Sequence, residues 1–171
     1  MKVLSLFSNV GIGETYLNKI GMEVVIANEL EKDRVEFYRS MHPKTNMIQG
    51  SITDSEVYKE ILQDASKHNI ELIIATPPCQ GMSIANARKT NKDDPRNSLI
   101  KKVVSLTLEL NPKYVLIENV RGMASDKTFI LDDDDNKINI MPFLVDKLGN
   151  DYEIRYKGLD AADYGTPHYR K

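Results

Sequence analysis

The sequence predicts an α/β fold of the Rossmann-like, doubly wound type, in which a mostly parallel sheet carries helices on both faces. Two observations support this prediction. Short apolar runs rich in β-branched residues alternate with longer segments of helical periodicity, and each strand–helix–strand repeat forms a right-handed crossover between parallel strands. The chain has 171 residues, 41% of them hydrophobic, which is enough for one domain with a substantial core. We therefore expect a single α/β domain over residues 1–171.

The predicted strands are apolar runs that are too short for helices. Their β-branched residues and their brevity favour buried parallel strands, because core helices usually have at least about ten residues. The runs are Val3–Phe7, Val24–Ala27, Leu72–Ala75 and Tyr114–Ile117.

Two segments between the strands have the periodicity of amphipathic helices. A capping box, Thr53-x-x-Glu56, predicts the start of the first segment, and Pro112 follows the second. Weaker helical patterns cover residues 13–20 and 31–41. The apolar positions are Val57, Ile61, Leu62 and Ala65 in the first segment, and Leu99, Val103, Leu106 and Leu110 in the second.

The composition indicates a cytoplasmic protein, as expected in bacterial or phage cytosol. A single cysteine cannot form an internal disulfide, and the chain opens with Met1-Lys2 and a predicted strand instead of a charged region followed by a long apolar stretch. No apolar run approaches the roughly 18–20 residues that span a bilayer, so we expect no membrane contact. The net charge of −2 and the pI near 5.9 give no basic footprint. Any contact with nucleic acid therefore has to depend on a local patch.

Two reactive side chains follow predicted strands at their carboxyl ends. Cys79 lies in Thr76-Pro77-Pro78-Cys79-Gln80-Gly81, and Glu118 follows Ile117. Ligands of open parallel sheets bind beyond the carboxyl ends of the strands, so a nucleophile and a proton donor can converge there on one substrate. A lone cysteine is often an inert buried side chain. The two prolines exclude continued strand pairing and hold the thiol in an exposed turn, which favours a reactive role.

A turn rich in small residues follows the first strand and predicts a ligand-binding loop. The segment Phe7-Ser8-Asn9-Val10-Gly11-Ile12-Gly13 lets the backbone approach a ligand and aims N–H groups at its charged end. Glu29 ends the second strand about twenty residues further on, where a carboxylate hydrogen-bonds the hydroxyls of a nucleoside ribose. An ordinary turn and a solvated glutamate at a strand end are the alternatives.

Four sequence blocks together resemble the cytosine-5 DNA methyltransferase family and span nearly the whole chain. They are Phe7-Ser8-Asn9-Val10-Gly11, Pro78-Cys79-Gln80, Glu118-Asn119-Val120 and Leu159-Asp160-Ala161-Ala162-Asp163-Tyr164-Gly165-Thr166-Pro167. The resemblance implies transfer of a methyl group from S-adenosylmethionine to carbon 5 of cytosine in double-stranded DNA. The product of the donor is S-adenosylhomocysteine, and no metal takes part. Such enzymes are typical of restriction–modification systems.

The same resemblance implies roles for individual residues. Cys79 adds to carbon 6 of a flipped-out cytosine, Glu118 hydrogen-bonds N3 and the exocyclic amine, and Arg170 matches an active-site arginine. The loop over residues 80–97 would close over DNA around the extruded base. Cofactor contacts are expected at Phe7, Ser8, Asn9, Gly11, Ile12, Glu29, Leu30, Ser51, Ile52, Pro78 and Leu99. Substrate and DNA contacts are expected at Gln80, Ser83, Arg88, Arg96 and Asn119.

The sequence departs from the family pattern at several positions. Asn9 and Ile12 stand where the family usually has glycine, and Ser51 replaces an aspartate that binds the adenine amine. His168 replaces a glutamine. The family's target-recognition domain and last cofactor-site motif are absent from these residues. We therefore expect a C-terminally incomplete catalytic domain, inactive alone, that needs a complementary C-terminal chain or segment and whose exposed apolar surface favours self-association.

Other functions stay open. A methyltransferase of transfer-RNA cytosine would share the Cys79 and Glu118 blocks, and a non-catalytic domain that binds a nucleotide or a protein partner would keep only the fold. Amino-directed DNA methyltransferases end their Pro-Pro pair with an aromatic residue, so Cys79 argues against them. The Asp132–Asp135 run lacks EF-hand spacing and is expected to be a solvated loop. His42 and His68 are expected to be surface histidines.

Overall fold

A computed structural model describes residues 1–78, 95–126, 128–131 and 136–166, with the side chain of Pro95 left out. The chain divides into two compact units. The first comprises Met1–Pro77 and Leu99–Glu118, and the second comprises Pro78–Ser98 and Asn119–Lys171. The predictions for Cys79, Gln80, Ser83, Arg88, Asp132–Asp135, His168 and Arg170 lie outside the described residues.

A parallel sheet of five strands forms the centre of the first unit, with the strand order β3-β2-β1-β4-β5. The pairs β1–β2 and β1–β4 are both parallel. The strand order shows that β2 and β3 are added on one side of β1, and β4 and β5 on the other. The boundary between β1 and β4 is therefore the topological switch point, where ligands of doubly wound sheets bind. The strands are β1 (Lys2–Leu6), β2 (Glu23–Glu29), β3 (Asn46–Gln49), β4 (Leu72–Ala75) and β5 (Tyr114–Ile117).

Three helices connect and cover these strands: α1 (Lys32–Met41), α2 (Ser55–His68) and α3 (Leu99–Leu110). Right-handed crossovers place α1 on one face and α2 with α3 on the other, because the chain moves along the sheet in opposite directions. In agreement, α2 contacts α3 while α1 contacts β2 and β3. The predicted α/β fold with a parallel sheet is confirmed. Fully buried core side chains are Val3, Leu4, Leu6, Ile26, Val35, Tyr38, Ile61, Ile73, Ile100 and Leu106.

Several elements differ from their sequence-based bounds. Residues 13–20 do not form one helix but two short 3₁₀ turns, Ile12–Glu14 and Leu17–Ile20. Gly11 and Gly21, with φ of 77° and 79°, end the helical conformation on both sides. The strand β3 is absent from the predicted runs because only its two central residues are buried.

The start of α2 also differs from the prediction. The N-cap is Asp54, whose Oδ1 accepts hydrogen bonds from the backbone N–H groups of Glu56 at 2.8 Å and Val57 at 3.4 Å. Thr53 instead pairs its hydroxyl with that of Ser51 at 2.7 Å. The predicted Thr53-x-x-Glu56 capping box is therefore wrong by one residue at the cap, because Asp54 caps the helix as well as threonine would.

The second unit contains an antiparallel hairpin of β6 (Phe129–Leu131) and β7 (Lys137–Asn139), followed by α4 (Ile140–Leu148). The sequence did not predict these elements, since three-residue strands carry too little periodicity. Pro142 lies in the first turn of α4, where its missing N–H has no helical partner to lose. The buried side chains of α4 are Ile140, Phe143, Leu144 and Leu148. In the part of the chain that the structure describes, no helix is long and apolar enough to cross a membrane.

Candidate active site

The carboxyl ends of three neighbouring strands, β1, β4 and β5, lie side by side at the switch point and next to it. Thr76, after β4, donates from its backbone N–H to Leu6 at 3.2 Å and from its hydroxyl to the carbonyl oxygen of Phe7 at 3.0 Å. Glu118, after β5, donates from its backbone N–H to the carbonyl oxygen of Ala75 at 3.0 Å. The turn after β1, the segment that leads towards Cys79 and the start of the Glu118 block therefore leave neighbouring strands at one edge of the sheet.

The turn after β1 has an unusual backbone. Phe7, Asn9 and Gly11 have φ values of 59°, 52° and 77°, in the left-handed region that most residues avoid. Asparagine tolerates this region better than other non-glycine residues, and Asn9 Oδ1 accepts the N–H of Val10 at 2.9 Å. The departure from glycine at position 9 is thus compatible with the turn.

Gly11 lies where there is no space for a side chain. A Cβ atom there would lie 2.5 Å from His42 Nε2 and 2.8 Å from Tyr38 Cε2. The same His42 nitrogen is 3.0 Å from the carbonyl oxygen of Gly11, and its ring centroid is 4.7 Å from that of Tyr38. The prediction of a surface histidine at position 42 is therefore wrong, because the side chain packs against the turn.

Glu29 is a buried carboxylate, 5% exposed, at the end of β2. Its Oε1 accepts the N–H groups of Leu30 and Glu31, each at 3.0 Å, and Arg34 Nη1 lies 3.5 Å away. Its Oε2 accepts the N–H of Asn9 at 2.9 Å. A carboxylate has about four acceptor positions, so Oε2 keeps one for a hydroxyl. Glu29 thereby ties the turn after β1 to the end of β2.

The other cofactor candidates of the first unit differ in exposure. Ile12 and Leu30 are exposed by 74% and 57%, and Leu30 directly follows the buried Glu29. Ile52 is buried in the core, so its side chain packs inward. The hydroxyl of Ser8 is also turned inward and donates to the carbonyl oxygen of Ser5 at 3.0 Å. The hydroxyl of Ser51 forms a hydrogen bond with that of Thr53. Leu99 is half-buried at the start of α3.

Glu14 is a buried carboxyl group that the sequence did not single out. It is 8% exposed, and its two carboxyl oxygens accept hydrogen bonds from the hydroxyls of Ser5 and Tyr38. Burial raises the pKa of Glu14, against these hydrogen bonds and the charge of His42, which lower it. Burial and the neighbouring Glu14 raise the pKa of Tyr38, so its hydroxyl remains a donor. No periodicity in the sequence marks this pairing, since the partners are 24 residues apart.

Comparison with known proteins decides the family. The model for C-5 cytosine-specific DNA methylases matches residues 1–171. The chain belongs to the C-5 cytosine-specific DNA methylase family. The resemblance predicted from the four sequence blocks is thus confirmed.

Curated relatives of this methylase chain carry methyltransferase names. The chain is 41% identical over 98% of its length to the Type II methyltransferase M1.HgaI of Avibacterium volantium, and covers 47% of that protein. It is 31% identical to M.NgoPII of Neisseria gonorrhoeae, covering 46% of it, and 31% identical to M.AquIA of a Picosynechococcus strain, covering 68% of it. The chain spans about half the length of most of these relatives.

Solved structures agree with the methylase fold. A DNA modification methyltransferase encoded within an E. coli prophage aligns over 99% of this chain and 44% of its own, with 28% identity and a TM-score of 0.77. A mutant of DNMT2 from Spodoptera frugiperda aligns over 86% of this chain and 40% of its own, with 25% identity and a TM-score of 0.59. The predicted methyltransferase fold is therefore confirmed.

The remaining candidate site residues that the structure describes follow β5 or belong to the second unit. Glu118 has an exposed side chain, and Asn119 accepts the N–H of Val120 through Oδ1 at 2.8 Å. Pro78 and Arg96 are half-buried. Residues 1–78, 95–126, 128–131 and 136–166 contain no group of three or more His, Cys, Asp or Glu side chains that could hold a metal ion.

The raised pKa of Glu14 predicts a pH dependence of the methylase chain's stability. The carboxyl keeps its proton to higher pH in the folded chain than in the unfolded chain. Its contribution to stability is therefore complete below the ordinary glutamate value of about 4.3 and is lost as pH rises through the folded value, by at most about 1.4 kcal/mol per pH unit. We expect the stability of the wild type relative to Glu14→Gln, measured by urea unfolding, to fall as pH rises from about 4.

Glu36→Gln is the matched control for this pH experiment, because Glu36 lies on the exposed surface of α1. It reports the effect of the same chemical change outside the Glu14 site. If the wild type instead became more stable relative to Glu14→Gln as pH rises, the folded chain would favour the ionised form of Glu14, against this prediction.

Proposed function

We propose that this chain forms the catalytic part of an enzyme that methylates carbon 5 of cytosine in double-stranded DNA, with S-adenosylmethionine as methyl donor. The observation that carries the proposal is the position of Glu118 in a chain of the C-5 cytosine-specific DNA methylase family. Its backbone pairs with Ala75, the last residue of the strand that leads to Pro78 and Cys79. We further propose that the enzyme acts in the cytoplasm.

The described residues at the ends of β1 and β2 fit an adenosyl ligand. A ribose hydroxyl can donate to the open acceptor position of Glu29 Oε2. The exposed apolar side chains of Ile12 and Leu30 provide surface that a flat apolar ring would cover. S-adenosylmethionine, when bound, supplies a methyl group on a positively charged sulfur. Phe7, Asn9 and Gly11 would line the turn beside it, and Ser51, Pro78 and Leu99 remain further proposed contacts.

The proposed chemistry uses the thiol and the carboxyl in separate roles. The Cys79 thiolate forms a bond to carbon 6 of cytosine, and the electron pair of the C5–C6 double bond becomes available at carbon 5. Glu118 hydrogen-bonds N3 and the exocyclic amine, which stabilises the charge that reaches N3. After carbon 5 has been methylated, loss of its proton expels the thiolate and restores the double bond. No metal is needed for these steps.

Access to cytosine requires that the base leave the duplex, which costs a few kcal/mol. We propose that Gln80, Ser83, Arg88, Arg96 and Asn119 contact the DNA or the extruded base. Arg170 would contact the substrate at the active site. M1.HgaI and M.NgoPII are about twice as long as this chain. We therefore propose that target recognition and activity depend on a complementary C-terminal segment or chain.

Trapping on duplex DNA that contains 5-fluorocytosine tests this function. Fluorine at carbon 5 cannot leave as a proton does, so the adduct between carbon 6 and the enzyme accumulates after methylation. We expect a covalent complex when S-adenosylmethionine and a complementary C-terminal polypeptide are present, and none with Cys79→Ser. Denaturing gel electrophoresis with mass spectrometry of the adduct peptide reads the result.

The trapping experiment has clear opposing outcomes. An adduct that persists in Cys79→Ser would place the nucleophile elsewhere. An adduct on transfer RNA that contains 5-fluorocytosine, with none on duplex DNA, would replace the proposed substrate. The absence of adducts on both nucleic acids, with a complementary polypeptide that restores cofactor binding, would favour a non-catalytic role.

A further inference from the structure

We infer that Glu14 is a positioning residue of the cofactor-binding turn: together with Tyr38 and His42, it holds the Phe7–Gly11 turn in the conformation that receives the methyl donor. The identity of that ligand rests on the proposed function. The holding of the turn is a property of the free chain and can be tested without any ligand.

A continuous chain of hydroxyl and carboxyl groups joins the turn to the helix α1. The Ser8 hydroxyl donates to Ser5, with its one proton shared between the Ser5 carbonyl oxygen and Ser5 Oγ, each at 3.0 Å. The Ser5 hydroxyl donates to one carboxyl oxygen of Glu14. The Tyr38 hydroxyl donates to the other carboxyl oxygen. Ser5 belongs to β1, Ser8 to the turn and Tyr38 to α1. Glu14 therefore connects three separate parts of the first unit through one buried group.

A second connection reaches the turn from the end of the same helix. His42, directly after α1, lies against the carbonyl oxygen of Gly11 at 3.0 Å. The backbone N–H of Glu14 donates to the same carbonyl at 3.2 Å. The turn itself is closed by a bond from the Gly11 N–H to the Ser8 carbonyl at 3.0 Å. The Gly11 end of this short closed loop thus contacts the residue that follows α1, and the Ser8 end reaches α1 through Ser5, Glu14 and Tyr38.

The polar nature of these contacts favours a positioning role over plain packing. Neighbouring side chains of β1 are buried and apolar, namely Val3, Leu4 and Leu6. A buried carboxyl group is costly unless its hydrogen bonds are satisfied, and an apolar residue at position 14 would avoid that cost. Satisfied polar networks, by contrast, select one geometry because their bonds are directional. The network lies directly beneath the turn whose backbone would face the ligand.

Loss of the network should lower the population of the binding-competent turn. If the competent fraction falls tenfold, the apparent Kd for the ligand rises about tenfold, with unchanged contacts to the ligand itself. Tyr38→Phe removes only the hydroxyl group that donates a hydrogen bond to Glu14. Glu14→Gln keeps the shape of the side chain and replaces one of its two acceptor oxygens by an NH₂ group. Tyr16→Phe and Glu36→Gln are matched controls, because both side chains are exposed and lie outside the network.

Amide hydrogen exchange of the free 171-residue chain tests the inference directly. Under native conditions we expect the Gly11 N–H to exchange about tenfold faster in Tyr38→Phe and Glu14→Gln than in the wild type. Exchange in the central strands β1 and β4 should stay unchanged, and the two control variants should match the wild type. Equal exchange at Gly11 in all proteins would overturn the inference. So would faster exchange that is uniform over the sheet, because it would indicate a loss of global stability alone.

Calorimetric titration with S-adenosylhomocysteine separates this inference from the proposed function. We expect both network variants to raise Kd about tenfold, and to raise the KM for S-adenosylmethionine with kcat retained in the complemented enzyme. Wild-type chain that binds no S-adenosylhomocysteine, alone or complemented, would refute the proposed cofactor, while hydrogen exchange still decides whether Glu14 holds the turn. Faster exchange at Gly11 without any change of Kd would refute the link between the turn and the ligand.

Discussion

Replacement of Gly11 by alanine is expected to destabilise the first unit by about 2–5 kcal/mol, from roughly 1–2 kcal/mol of left-handed backbone strain and 1–3 kcal/mol of overpacking. The added methyl group would lie 2.5 Å from His42 Nε2 and 2.8 Å from Tyr38 Cε2. His42 and Tyr38 would have to move away from the turn, and the Glu14 network with them. Urea unfolding measures the loss of stability, and calorimetry should show no binding of S-adenosylhomocysteine.

Two other glycines of the same region separate the causes of this loss. Gly21 has a φ of 79° but open space around its Cβ position, so Gly21→Ala isolates the backbone strain. Gly13 has open space without a positive φ, and Gly13→Ala should change stability by less than about 1 kcal/mol. If Gly11→Ala costs no more than Gly21→Ala, the close approach of His42 and Tyr38 has no energetic consequence.

Replacement of Glu118 by glutamine is expected to lower methyl transfer by about 10²–10⁴-fold, the range for removal of a catalytic acid or base. Folding should be unaffected within about 0.5 kcal/mol, because the side chain is exposed. Transfer of labelled methyl groups to duplex DNA by the complemented enzyme measures the rate, and urea unfolding measures the stability.

The control for Glu118→Gln is Glu60→Gln, an exposed position on α2 away from the strand ends. It should retain the wild-type rate. A Glu118→Gln enzyme that retains methyl transfer within about threefold would remove Glu118 from the proposed chemistry, since that change corresponds to less than 1 kcal/mol of transition-state stabilisation.

Strands with continuous apolar runs were predictable because a short run of apolar, β-branched residues is a local signal. The strands β4 and β5 begin and end at the predicted residues, Leu72–Ala75 and Tyr114–Ile117. The prediction that both runs are buried was right for β4 and wrong for β5, an outer strand of the sheet whose Tyr114 and Leu116 are exposed. The helix α3 also matches its apolar pattern over Leu99–Leu110. The hairpin of β6 and β7 gave no such signal, because each strand has only three residues. Local pattern thus decides elements with a continuous apolar run or a helical period and leaves three-residue strands undetermined.

The candidate site divides in the same way. The Cys79 block and the Glu118 block are each a continuous run of residues that directly follows an apolar run. Their positions after predicted strands could therefore be inferred from the sequence alone. The prediction for Glu29 required only that β2 end near it, and β2 ends at Glu29. Ile52 illustrates the limit, because a matching position did not reveal that its side chain is buried in the core.

The sequence by itself determined the fold class, the family and the order of the reactive blocks, because each depends on periodicity or on contiguous residues. Only the tertiary structure decided that Glu14, Tyr38 and His42 lie together beneath the turn at Gly11. Tyr38 is 24 residues from Glu14, and His42 is 31 residues from Gly11. The physical reason is that hydrophobic patterning specifies which faces are buried, whereas the partner of a buried polar group depends on how β2 and α1 bring distant residues together.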